Sequence, residues 1–157
     1  MKLIFLFTGK TEDRWVSEGM RIYHDRLGHY CQNEIIELPS SKNKGKMDKE
    51  QMLQAEAEQV LSKIGSGDKL ILLDEGGKEM SSTGLSQWMN KQQLAGNKRM
   101  VLLVGGAFGF HKKIVERADQ KISLSKMTFT HQMVRVILLE QVYRAFTILK
   151  GEKYHHD

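Results

Sequence analysis

The regular alternation of two kinds of segment constrains this fold more than any other feature. Short strand-like runs occupy Lys2–Phe7, Glu34–Leu38, Lys69–Leu73, Arg99–Val104 and Lys121–Leu124. Helical periodicity marks the longer segments Glu12–Leu27, Asp48–Lys63, Ser82–Leu94, His111–Arg117 and Thr130–Leu149. Strands and helices that alternate in this way predict an α/β fold with a mostly parallel sheet, flanked by helices.

Two of the runs, Leu70–Leu73 and Val101–Val104, are apolar throughout instead of alternating with polar residues. Strands of this kind are typical of the centre of a sheet that helices cover on both faces. The runs are too short to span a membrane, and 157 residues without a long linker predict one domain, 1–157. An exposed loop is expected at Pro39–Lys46, which holds the only proline and three lysines.

The first residues favour a cytoplasmic protein. Met1–Phe7 carries one basic residue and no small-residue cleavage site, so a first strand is a better interpretation than a signal peptide. Cys31 is the only cysteine, which excludes a disulfide framework and a cysteine-based metal site. The neighbouring His155 and His156 do not make a preformed metal site, and we expect neither a metal nor a membrane partner.

Positive charge is concentrated in the last third of the chain. Residues 111–157 hold nine Lys and Arg against five Asp and Glu, whereas the first 110 residues hold fifteen against fourteen. A basic region suits a polyanionic partner such as RNA, although a mildly basic surface without such a partner has the same composition.

The last helical segment is apolar around most of its circumference between Met133 and Leu149. A surface helix of a monomer needs only one apolar stripe, so this helix must be covered on more than one side. A second subunit would provide that cover, and a central position in the core of one chain is the alternative.

Glycines follow the fourth strand in the sequence Val104–Gly109. They would let the backbone come close to a ligand at the carboxyl end of the strand, or they would form a tight structural turn. The spacing is G-G-x-x-G, which is not the dinucleotide fingerprint, and the chain contains no phosphate-binding P-loop.

Acidic residues follow the third strand in Asp74–Lys78. A solvated turn is the favoured interpretation, while paired carboxylates for acid–base work or a metal are the alternative. Farther on, Ser125 and Thr128 offer hydroxyls, Thr130 is suited to cap the last helix, and His131 is either structural or catalytic. The tail from Lys150 carries an aromatic ring, imidazoles and lysines, which suit contacts with unpaired RNA.

Together these motifs closely resemble one family, the ribosomal RNA large subunit methyltransferase H family, a minimal branch of the SPOUT methyltransferases. The resemblance rests on Val104–Gly106 with Gly109, Leu124–Phe129, His131–Val136, Leu139–Ala145 and Tyr154-His155, and it extends over the whole chain, including Gly9-Lys10 after the first strand.

This resemblance implies a SPOUT-type α/β fold with a C-terminal trefoil knot, the knot and cofactor pocket lying at about residues 100–157. It implies a homodimer that uses S-adenosylmethionine to methylate N3 of a pseudouridine in the helix 69 loop of 23S rRNA, on the assembled ribosome. The implied cofactor contacts are Leu73, Gly105, Leu124, Ser125, Lys126, Met127, Thr128 and Phe129. The implied catalytic or RNA-facing residues are His131, Arg135, Arg144, Tyr154 and His155.

The chain departs from the family pattern at two positions. Thr130 stands where the family usually has proline, and His156 stands where arginine is common. The first change makes the entry of the last helix less rigid, and the second puts a phosphate contact of the tail in question. A non-catalytic RNA-binding dimer of the same fold is the main alternative. A flavodoxin-like nucleotide-binding domain is less well supported, because Thr8–Glu12 does not form a phosphate loop.

Overall fold

The computed structural model describes residues 1–39 and 47–155 and has ten helices and strands in that part of the chain. In chain order they are β1 (Lys2–Thr8), α1 (Arg14–Leu27), β2 (Asn33–Leu38), α2 (Lys49–Leu61), β3 (Lys69–Glu79), α3 (Ser82–Leu94), β4 (Arg99–Val104), α4 (Lys112–Arg117), β5 (Gln120–Ser123) and α5 (Met133–Leu149). The predicted alternation and the α/β class are confirmed. Of the loop expected at Pro39–Lys46, residues 40–46 lie outside the described part.

The strands form one parallel sheet in the order β2-β1-β4-β3-β5. Successive side chains of a strand point to opposite faces. Ile71 and Leu102 therefore join the core beneath α1, α3 and α5, while Leu72 and Leu103 join the core beneath α2 and α4. Helices on both faces explain why these strands are apolar throughout.

Helix α5 packs against both α1 and α3, so part of its apolar circumference is covered within the chain. The α1 contact is close, because a Cβ added to Gly19 would lie 3.1 Å from Val136 Cγ1. Apolar side chains are nevertheless left exposed on α1 and α5. Trp15 and Ile22 on α1 are 54% and 46% exposed, and Met133 on α5 is 41% exposed. The core position of the last helix is therefore confirmed in part, and cover by a second subunit stays a prediction.

Strand β3 continues past its predicted end at Leu73, and the turn predicted at Asp74–Lys78 is wrong. Leu73 and Lys78 both pair with Ile122 of β5, so the residues between them form a bulge in a continuing strand. Gly77 makes this possible, since a Cβ at that position would lie 2.5 Å from the carbonyl carbon of Ile122. Asp74 and Glu75 follow Leu73 in the bulge, and Leu73 pairs with Val104 at the end of β4.

No helix in the described part of the chain has the length and apolar character needed to cross a bilayer.

Candidate active site

The start of the β3 bulge and the carboxyl ends of β4 and β5 surround a cavity of about 610 Å³. Its walls are the start of the β3 bulge, the loop after β4 and the segment between β5 and α5. The volume lies within the range of small-molecule sites in proteins, and open parallel sheets bind ligands at this edge.

The loop after β4 is a tight turn that brings backbone to the cavity. The Gly109 N–H donates to the Gly106 carbonyl at 3.2 Å, and Gly109 has a φ of 78°. A Cβ added to Gly105 would lie 2.8 Å from the ring of Phe110. The glycines therefore serve a turn and also leave the backbone accessible from the cavity.

The segment after β5 is folded back on itself by its own hydroxyl groups. Ser123 donates to the Ser125 carbonyl at 2.9 Å, and the Ser125 hydroxyl accepts from the Met127 N–H at 2.9 Å. Thr128 donates to the Glu75 carboxylate at 3.2 Å, which joins this wall to the β3 bulge. These bonds give the segment a defined shape without a helix or strand.

Seven of the eight residues that the resemblance assigns to the cofactor line this one cavity: Leu73, Gly105, Leu124, Ser125, Met127, Thr128 and Phe129. The eighth, Lys126, has an exposed side chain whose Nζ lies 3.9 Å from a carboxylate oxygen of Glu79. Asp74 and Glu75 also line the cavity, and sequence reasoning did not assign them to the site. Their position directly after Leu73, which was assigned to the cofactor, was the signal that could have placed them in the site.

His131 lines the cavity at the entry to α5. The helix begins at Met133, later than predicted, and the Thr130 hydroxyl accepts from the Met133 N–H at 3.1 Å, as a cap would. The buried Gln132 amide accepts from the Glu12 N–H at 3.2 Å and donates to the Lys10 carbonyl at 3.1 Å. The turn that carries His131 is therefore held to the loop after β1.

Arg135 lies directly behind this turn and is only 1% exposed. Its guanidinium donates to the carbonyls of His131 and Thr8 at 3.0 Å each and to the Thr11 hydroxyl at 2.9 Å. Its burial lowers the pKa of Arg135, although Glu37 at 3.6 Å favours the charged form. Within this chain Arg135 does not line the cavity, and its contacts position the backbone of His131.

We expect Arg135→Lys to lower the free energy of unfolding by about 2 kcal/mol. The three hydrogen bonds come from three different nitrogens of the planar guanidinium, and the single nitrogen of a lysine cannot reach all three acceptors. Urea denaturation measures the loss. Arg14→Lys is the matched control, since the Arg14 side chain is 92% exposed and pairs with Glu18 on its own helix face. Equal stability of the two variants would contradict a role for Arg135 in holding this turn.

Arg144, Tyr154 and His155 meet around Glu140, and we call these four residues the tail cluster. Glu140 Oε1 accepts from Arg144 at 2.5 and 3.0 Å and from the Tyr154 hydroxyl at 3.0 Å, while His155 Nδ1 lies 3.4 Å from Arg144. The hydrogen bond to Glu140 raises the pKa of Arg144. Burial, together with hydrogen bonds to Tyr23 and Glu140, raises the pKa of Tyr154, so the phenol is protonated at neutral pH.

Sequence reasoning missed Glu140, although its spacing of four residues from Arg144 on a helix was an available signal. The next residue of the tail, His156, lies outside the described residues. Among residues 1–39 and 47–155, no group of three His, Cys, Asp or Glu side chains is arranged to hold a metal ion.

Within one chain the tail cluster is separate from the cavity. Glu140 and Arg144 lie seven and eleven residues beyond the start of α5, which corresponds to roughly 10 and 16 Å along the helix axis. They follow Met133 and Ile137 at helical spacing, so all four residues share one stripe of the helix. The stripe thus runs from the exposed Met133 at the start of α5 to the tail cluster.

Comparison with known proteins agrees with this geometry. The family model described as "Predicted SPOUT methyltransferase" matches residues 1–155. Proteins named ribosomal RNA large subunit methyltransferase H are similar over their full length. That of Cytophaga hutchinsonii is 46% identical over 99% of this chain and 100% of its own. That of Christiangramia forsetii is 44% identical over 99% of both chains, and that of Porphyromonas gingivalis is 41% identical over 100% of both. The chain belongs to the SPOUT methyltransferase family, within its ribosomal RNA large subunit methyltransferase H branch.

Proposed function

We propose that this chain is an S-adenosylmethionine-dependent methyltransferase that acts on N3 of a pseudouridine in the helix 69 loop of 23S rRNA, on the assembled ribosome. The observation that carries the proposal is the cavity of about 610 Å³, whose walls come from the three segments that the resemblance assigns to the cofactor. The names of its full-length relatives, which specify large-subunit ribosomal RNA, support the substrate class.

The residues of the cavity fit the proposed cofactor chemically. Leu73, Leu124 and Phe129 offer apolar surface that would flank an adenine ring, and the accessible backbone of the loops would hydrogen-bond its edge. The carboxylates of Asp74 and Glu75 suit an ammonium group or ribose hydroxyls. When bound, this cofactor supplies a methyl group on a sulfonium, which is already activated for attack.

The chain's own residues then have three tasks. The walls of the cavity would hold the target base beside the cofactor, which would remove much of the entropic cost of the reaction. The proton on the attacking nitrogen must be accepted, and His131 on the cavity wall is placed to do so. The guanidinium of Arg144 would stabilise negative charge that develops on the base.

We expect His131→Ala to lower the single-turnover rate of methyl transfer about a hundredfold, because the proton would lose its acceptor. Calorimetry should show unchanged affinity for S-adenosylmethionine. His29→Ala is the matched control, because His29 is exposed in the turn after α1, away from the cavity. A rate equal to that of the wild type would remove His131 as the base.

The tail cluster reaches a cavity only if a second copy of the chain provides it. The exposed Trp15 and Ile22 on α1 and Met133 on α5 form an apolar surface that suits pairing with the same surface of a partner. Tyr154, His155 and Arg144 would then complete the cavity of the other subunit. The homodimer is therefore part of the proposed function.

Two further predictions complete the proposal. We place the protein in the cytoplasm, where ribosomes are found. We also propose that residues 1–157 act as one domain with a trefoil knot near the cofactor pocket. The cavity walls after β4 and β5 both fall within residues 100–157, where the knot is expected.

Calorimetry with S-adenosylmethionine is the first test, and we expect one binding site per chain. Transfer of a labelled methyl group to 70S ribosomes that lack the modification is the second. Gly105→Val is the control, since even a Cβ at this position would meet Phe110 at 2.8 Å and a larger side chain would obstruct the cavity. Ribosome binding without cofactor binding would favour the non-catalytic RNA-binding dimer.

A further inference from the structure

One large aromatic ring on the loop after β4 has no part in the function described so far. Phe108 is 55% exposed. It stands between Ala107 and Gly109, which both line the cavity, and the turn closed by the Gly109-to-Gly106 hydrogen bond fixes its place. An exposed phenylalanine at the tip of a tight turn contributes little to the core of its own chain.

The Phe108 ring has a lysine beside it, and both lysines and carboxylates lie on the neighbouring helices. Lys49 Nζ lies 5.7 Å from the ring centroid, and the exposed Lys112 and Lys113 begin the helix that follows the turn. Glu50 lies 3.0 Å from His111 Nε2, Glu116 lies 3.6 Å from Lys112 Nζ, and a Cβ added to Gly106 would lie 3.4 Å from the Glu56 carboxylate. Phe108 therefore presents an exposed aromatic face beside Lys49, on the loop that forms one wall of the cavity.

An aromatic face beside lysines is the arrangement by which proteins hold unpaired nucleotides, through stacking on the base and attraction to the phosphates. We propose that Phe108 is a stacking platform for an unpaired base of the RNA substrate, adjacent to the nucleotide that enters the cavity. This inference rests on the proposed function, which supplies a single-stranded loop as substrate. It adds a substrate-binding residue on the loop after β4, distant in sequence from the tail cluster.

The test compares four side chains at this position: wild-type Phe108, Phe108→Ala, Phe108→Leu and Phe108→Trp. With 70S ribosomes lacking the modification and saturating S-adenosylmethionine, we expect Phe108→Ala and Phe108→Leu to raise KM about tenfold while kcat changes less than about twofold. Phe108→Trp should retain the wild-type KM, because it restores a stacking surface. Leu94→Ala is the control, since Leu94 is 79% exposed at the end of α3, which leads to the opposite edge of the sheet.

Three results would overturn the proposal. Wild-type KM in Phe108→Leu would show that any apolar side chain suffices. A parallel loss of affinity for S-adenosylmethionine would assign the ring to the cofactor, and weaker self-association in sedimentation would assign it to the subunit interface. A wild-type protein that transfers no methyl group would contradict the proposed function instead. In that case, comparing the affinity of wild type and Phe108→Leu for ribosomes would still decide the role of the ring.

Discussion

Gly77→Ala is expected to lower the free energy of unfolding by about 3 kcal/mol, since the added methyl group overlaps backbone that cannot move freely. Its Cβ would lie 2.5, 2.7 and 2.8 Å from the carbonyl carbon, nitrogen and Cα of Ile122. Either β5 moves away from β3 or the bulge unfolds, and both changes displace a cavity wall. Thermal unfolding should report a midpoint roughly 6–12 °C below the wild type.

The neighbouring glycine provides a matched control for this variant. Among the described residues, a Cβ added to Gly76 would meet the Asp74 carboxylate at 3.1 Å, which is the end of a side chain, and no backbone within 4 Å. We expect Gly76→Ala to cost less than about 1 kcal/mol. Equal stability of the two variants would show that the close contact between the bulge and β5 does not stabilise the sheet.

Mixed dimers are expected to recover activity that neither parent has. One parent carries Gly105→Val, which obstructs the cavity, and the other ends at Lys153, which removes Tyr154 and His155 from the tail cluster. If the tail of one chain completes the cavity of the other, the truncated subunit offers an open cavity and the Gly105→Val subunit provides its tail. Heterodimers purified through two different affinity tags should therefore show roughly half of the wild-type activity, because one of two symmetric sites is complete.

The reciprocal heterodimer makes this result decisive. When both changes are placed in one subunit and paired with an intact partner, the intact cavity lacks a tail, and activity should be lost. A tail that serves its own cavity predicts the opposite in both cases, with an inactive first heterodimer and a half-active second one. That pair of outcomes would contradict the composite site.

Sequence patterns predicted the architecture well, because the signals were local. The uninterrupted apolar runs of β3 and β4 identified central strands, and the helices that cover both faces follow from them. The bulge could not be predicted in this way. Acidic residues and two glycines read locally as a turn, and only the approach of Gly77 to Ile122, forty-five residues later, reveals that the strand continues.

The candidate site shows the same division between local and distant information. The resemblance placed residues such as Gly105 and Ser125 in one pocket, and they do line one cavity. It did not separate residues that line the cavity from those that act at a distance. Arg135, assigned to the catalytic group, is buried against the loop after β1 through contacts more than 120 residues apart in sequence. Side-chain contacts across such distances leave no pattern in a single sequence.

Mass mapping of methylated nucleotides on 23S rRNA, from cells with and without this protein, tests the proposed activity in a single measurement. We expect one methylated pseudouridine in the helix 69 loop that is present with the protein, absent without it, and restored by the wild-type gene but not by Gly105→Val. An identical methylation map in both kinds of cell would contradict the proposed activity.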